Sequence, residues 1–214
     1  MLFGDDRFTL VADVRPRERD AVDVPLLPLP AATPAVPEDV APDPDAIVVR
    51  PAARDDAPMI ASIYNDGIRS RLATFETVPR SPGEVREWFE DPVAARFPFL
   101  VASDGGGQML GWIRGGAYRT RACYAGVTDY SVYVAEAARG RGVGDTLMGA
   151  FVEACREAGV WKIVARIFPE NAASRALCAR HGFREVGVYE RHAQLDGAWR
   201  DVIIVERLLV ENQP

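Results

Sequence analysis

The stretch from Tyr130 to Leu147 constrains this chain more than any other, because it reads as a strand, a glycine-arginine turn and a helix start in one run. Val132 and Val134 share one face of the strand and Tyr133 takes the other. Gly140, Gly142 and Gly144 then permit positive φ and leave backbone N–H groups uncovered. Those N–H groups meet the positive end of the following helix dipole, so the turn is suited to a phosphate or pyrophosphate. Arg139 and Arg141 can add side-chain charge to the same anion. The spacing is neither G-x-G-x-x-G nor G-x-x-x-x-G-K-[ST], since no Lys-Ser or Lys-Thr follows Gly144. A tight strand-to-helix turn also needs glycine, so the rest of the chain has to agree.

Composition narrows the classes. The length suits one domain and an appendage. The net charge is −6 and the basic residues are scattered, so no nucleic-acid partner is expected. No apolar run approaches a membrane span, and Asp5 and Asp6 sit where a secretory signal would be basic. Cys123, Cys155 and Cys178 are far apart, which suggests neither a disulfide framework nor a metal site and fits a cytoplasmic protein.

Along the chain, residues 1–45 hold half of the 16 prolines, and a disordered extension is expected there. Residues 46–210 form the domain, and 211–214 a C-terminal tail. Ile47 to Pro51 reads as a strand, and Asp55 or Asp56 is placed to cap a helix through Ile60, Ile63, Tyr64 and Ile68. Ser81-Pro82 opens a second helix through Val85, Trp88 and Phe89. Phe99 to Ala102 and Met109 to Gly116 flank a glycine turn. The helix after the central turn ends near Gly159, and Trp161 to Ile167 is the next strand. Pro169-Glu170-Asn171 opens a helix to Arg180. Arg184 to His192 and Trp199 to Leu209 are strands flanking the turn Asp196-Gly197. The order β-α-α-β-β-β-α-β-α-β-β predicts an α/β (α+β) mixed sheet with helices on both faces.

Arg139-x-x-Gly142-x-Gly144 resembles the R/Q-x-x-G-x-G/A signature of the GNAT N-acetyltransferases. The segment ending in Thr74-Phe75-Glu76-Thr77, the pair Asn171-x-x-Ser174, and Gly182-Phe183 resemble the phosphinothricin acetyltransferase branch of that family. The closing R-H-A-Q-L-D-G-A-W-R-D-V is most similar to a sub-branch that acetylates arsinothricin. The resemblance covers Ile47 to Leu209 and implies the GNAT fold, acetyl-CoA as co-substrate, no metal, and a homodimer. It also implies transfer to the α-amino group of a small anionic amino acid.

Residue roles follow from the resemblance. Acetyl-CoA would lie against Val132, Tyr133 and Val134, then against Arg139, Gly140, Arg141, Gly142, Val143, Gly144, Asp145 and Thr146, with Asn171 and Ser174 opposite. A free amide of Val132 or Val134 would meet the thioester oxygen. Asp129 matches a position where the branch usually carries a glutamate base; the alternative is a turn aspartate. Cys178 stands where related enzymes place a tyrosine or histidine acid, and it is equally suited to packing; Tyr133, Tyr189 and His181 are other candidate donors. Arg119 and Arg121 match a basic pair suited to the acceptor's anions, and Phe75 and Tyr130 would form an apolar wall. Rival readings are a methionine sulfone or sulfoximine acetyltransferase, a protein N-terminal or lysine acetyltransferase, and a non-catalytic acyl-CoA-binding module.

Overall fold

The computed structural model describes residues 46–213, and the proline-rich segment 1–45 lies outside them. The strands are β1 (Val48–Pro51), β2 (Phe99–Ser103), β3 (Met109–Ala117), β4 (Val127–Val134), β5 (Lys162–Ile167), β6 (Arg184–Leu195) and β7 (Ala198–Leu208). The helices are α1 (Ala57–Ser70), α2 (Pro82–Glu87), α3 (Val143–Glu157) and α4 (Ala172–Arg180). The order of elements is the one the sequence predicts. One seven-stranded sheet runs β1-β2-β3-β4-β5-β7-β6. Neighbours are antiparallel except for β4 and β5, which are parallel.

Alternation along the central strands sorts the core into two layers. On one face Val101, Trp112 and Tyr133 pack against Ile60, Tyr64 and Ile68 of α1. On the other, Ile113, Tyr130, Ile163 and Ala165 pack against Leu147 and Phe151 of α3 and Leu177 of α4. No helix of the described residues is long and apolar enough to cross a membrane.

Several local expectations need correcting. Neither acidic residue caps α1 through its side chain: the Asp56 carboxylate accepts from the Ala53 N–H at 2.7 Å and pairs with both terminal nitrogens of Arg50. Ser81 does cap α2, its Oγ accepting from Glu84 N while the Glu84 carboxylate accepts from Ser81 N. That helix ends at Glu87, so Trp88 and Phe89 lie just past it. β6 runs on to Leu195, across a register shift between Tyr189 and Ala193 that places Arg191 at φ 47°. The end of the chain docks: Asn212 Nδ2 donates to the carbonyls of Arg156 and Val160 at 2.8 Å each.

The junction of β4 and β5 shapes everything that follows. Their parallel pairing covers Val127↔Lys162, Thr128↔Ile163 and Asp129↔Val164, while β4 stays paired to β3 as far as Val134. Beyond Asp129 the two strands part. Ala135 N donates to Leu110 O across to β3, so alternation turns the amides of Val132 and Val134 toward the gap. This matches the expected splay.

Candidate active site

Two cavities meet at this split. A groove of about 640 Å³ runs between the end of α1, the last residues of β4 and the starts of α3 and α4. A smaller cavity of about 390 Å³ lies over the face of β4 that carries Asp129, Ser131 and Tyr133. Ala73 and Tyr133 border both.

The groove is made largely of backbone. Gly142 is the N-cap of α3 at φ 85°, a left-handed conformation that favours glycine, and it offers no side chain to the helix end. The first intrahelical bond is Thr146 N to Gly142 O, so the N–H groups of Val143, Gly144 and Asp145 have no helical acceptor. Three open amides at the positive end of a 15-residue helix fit a pyrophosphate. Val132, Val134, Arg139, Gly140 and Gly142 form one wall with Val143, Gly144 and Asp145. Arg141 and Thr146 are not in it; the Thr146 hydroxyl instead donates to Gly142 O at 3.2 Å. Arg180, which sequence reasoning missed, borders the groove and holds Asp145 at 2.9 Å, keeping that carboxyl below its ordinary range.

Asn171 and Ser174 form the facing wall. Asn171 Oδ1 accepts from Ser174 N at 3.1 Å, which caps α4, and its Nδ2 donates to Leu72 O at 3.1 Å. The capping role is present, and the amide group is also tied to the loop after α1.

The smaller cavity is made of side chains. Asp129 pairs there with Arg166 of β5. Phe75 meets Phe168 edge-on at 4.8 Å, and His192 and Val202 extend that apolar end. The loop over the cavity is pinned to α1 by Asn65, which accepts from Arg80 N at 2.8 Å and donates to Arg80 O at 2.9 Å. Tyr133 stacks on Trp112 and meets Tyr64 edge-on, and its O–H donates to Ala73 O at 3.3 Å. Burial holds its phenol well above the ordinary value. Gly67 makes this packing possible, because a Cβ there would stand 2.5 Å from the Tyr133 ring.

Other expected residues sit elsewhere. Cys178 is 1% exposed and borders neither cavity; its Sγ lies 3.0 Å from the Tyr130 hydroxyl, and burial pushes its thiol up. Helical phase turns it into the α3-side core, away from the gap where a leaving thiol would emerge. Tyr130 borders the smaller cavity, but its ring belongs to the opposite face, near Phe151 and Phe183. It therefore offers no aromatic wall. Arg119 and Arg121 are exposed on the loop before β4, with Arg119 lying 5.2 Å over the Tyr118 ring, and neither lines the cavity. The guanidinium that does line it, Arg166, was readable as one cation inside the apolar run Ile163 to Phe168, on the face opposite Ala165 and Ile167.

A family profile described as acetyltransferase (GNAT) domain matches residues 46–184. The chain is 34% identical over 158 residues to the L-methionine sulfoximine/L-methionine sulfone acetyltransferase of Pseudomonas aeruginosa, covering 74% of this chain and 92% of the relative. It is 36% identical over 166 residues to the phosphinothricin N-acetyltransferase of Alcaligenes faecalis, covering 77% and 83%. A crystal structure of a GNAT superfamily phosphinothricin acetyltransferase from Sinorhizobium meliloti in complex with acetyl-CoA superposes with a TM-score of 0.71. It is 29% identical and covers 76% of this chain and 88% of that one.

Proposed function

Because the chain belongs to the GNAT acetyltransferase family and is an acyltransferase, we propose that it moves the acetyl group of acetyl-CoA to the α-amino group of a small anionic amino acid. Phosphinothricin, arsinothricin and methionine sulfoximine are the acceptors to test first. The observation that carries the reading is the meeting of an anion-suited groove and a charged, aromatic cavity at Tyr133. That layout suits direct transfer with both substrates bound.

In the proposed reaction, the acceptor's ammonium gives one proton to Asp129, since only the neutral amine has a lone pair. The nitrogen attacks the thioester carbon and a C–N bond forms. The oxyanion that develops is met by an outward amide of Val132 or Val134. Collapse breaks the C–S bond, and the second nitrogen proton passes to the departing sulfur. Asp129 then releases its proton to solvent. Cys178 borders neither cavity; in this reading Tyr133, which borders both, gives up its bond to Ala73 O and donates to that sulfur. Its raised phenol suits hydrogen bonding better than full proton transfer.

We place the protein in the cytoplasm as a homodimer. The edge strand β6 exposes Val188 and Tyr189, and Trp199 of β7 is exposed further along the same hairpin, which supports self-association. Light scattering of the purified chain tests it, with a monomer as the contrary result. The function is tested by CoA release with the three acceptors, methionine sulfone and an N-terminal alanine peptide. Turnover confined to the peptide would make it a protein acetyltransferase, and acetyl-CoA binding without turnover would make it a binding module.

A further inference from the structure

Arg166 is the one arginine or lysine among the walls of the smaller cavity, within the described residues. It stands on β5 just past the point where β4 and β5 part, on the face that carries Asp129. A single guanidinium nitrogen, Nη2, meets Asp129 Oδ2. No other partner engages it among the described residues, and its side chain is 44% exposed. A guanidinium has five N–H donors, so most of this one is open to the cavity. The other carboxylate in the wall, Glu76, does not compete, because Arg80 holds both its oxygens at 2.8 Å. The remaining titratable groups facing the space are His192 and the phenols of Tyr64 and Tyr133, with Tyr130 at its border.

A fixed positive charge beside a fixed negative charge is the complement of an α-amino acid, which carries carboxylate and ammonium on one carbon. We propose that Arg166 and Asp129 together form a receptor for this zwitterion. The acceptor's α-carboxylate takes the guanidinium and its α-ammonium takes Asp129, so the enzyme reads free α-amino acids rather than amines in general. This rests on the assignment of Asp129 as base and deepens it. The incoming carboxylate competes with Asp129 for Nη2 of Arg166. The aspartate is thereby left facing the ammonium whose proton it must accept. An amine without an adjacent carboxylate leaves the Arg166–Asp129 pair closed.

The test compares the best acceptor of the panel with its α-carboxamide and its decarboxylated amine, using the full chain, Arg166→Gln and Arg166→Lys. Acetyl-CoA affinity by calorimetry reports that each variant is folded. The unaltered enzyme is expected to favour the free acid by about 10- to 100-fold in kcat/KM, the span of one hydrogen bond to a charged group. In Arg166→Gln that ratio falls close to one, mainly through KM for the acid, and Arg166→Lys restores part of it. A ratio that survives in Arg166→Gln overturns the proposal, and so does an equal loss on all three acceptors. If the unaltered enzyme uses the three alike, the receptor fails while acetyl transfer stands. If it uses no amine at all, the acetyl-transfer reading fails first and takes the receptor with it.

Discussion

The groove and the smaller cavity are built on different principles. The groove offers backbone: three helix-end amides, two left-handed glycines and the outward amides of a half-paired strand. The cavity offers side chains gathered from β4, β5, β6, β7 and the loop after α1. Backbone recognition suits a ligand that is the same for every member of a family, because it depends on conformation rather than on residue identity. Side-chain recognition suits an acceptor that changes between relatives, since one substitution alters it. The contrast fits the proposed division, with the donor in one region and the choice of acceptor in the other.

Four variants can break or sharpen that contrast. Asp129→Asn should have the largest effect, lowering kcat/KM for the acceptor by about 10²- to 10⁴-fold, the usual worth of a general base. Steady-state kinetics should find KM for acetyl-CoA little changed; a matching loss of donor affinity would place Asp129 in donor binding instead. Gly142→Ala comes next, because a side chain at φ 85° costs about 1–2 kcal/mol and disturbs the amide cradle. It should weaken acetyl-CoA binding about 10-fold by titration calorimetry, with acceptor KM the control that must not follow. Tyr133→Phe removes one hydroxyl at the junction and should lower kcat about 5- to 10-fold, the scale of one hydrogen bond. Both KM values should hold, and an effect confined to one of them would move Tyr133 out of the shared position. Cys178→Ala should change kcat less than about twofold while lowering Tm, since it leaves a small void and strips the Tyr130 hydroxyl of its partner. A large kcat loss at unchanged Tm would restore the thiol as the acid.

The same contrast explains what could be read from the sequence. The donor side was legible because its parts are contiguous: strand, glycine turn and helix start lie within Tyr130 to Leu147, and Asn171 announces the next helix. The element order was legible because glycine, proline and serine mark nearly every boundary. The acceptor side was not. Arg166 and Asp129 are 37 positions apart and meet only because β5 pairs parallel to β4 and then parts from it. Arg119 and Arg121 were read as the anion site because they match a basic pair that the resembled branch keeps before the cofactor strand, yet neither lines the cavity. The choice between Cys178 and Tyr133 depended on which way each side chain turns, and that is set by core packing rather than by spacing. The insertion of β7 between β5 and β6 was equally hidden, since a hairpin can present either strand to the sheet.

Asn171 joins the two regions mechanically. Its oxygen holds the first turn of α4, which borders the groove, and its nitrogen holds Leu72, at the start of the loop that covers the cavity. A ligand that shifts either neighbour acts on the other through one side chain of fixed length. Thermodynamic linkage makes such coupling symmetrical: whatever factor acetyl-CoA imposes on acceptor affinity, the acceptor imposes on acetyl-CoA. Replacing Asn171 would cut this tie between α4 and the loop, leaving Ala73 and Tyr133 as the residues the two cavities share.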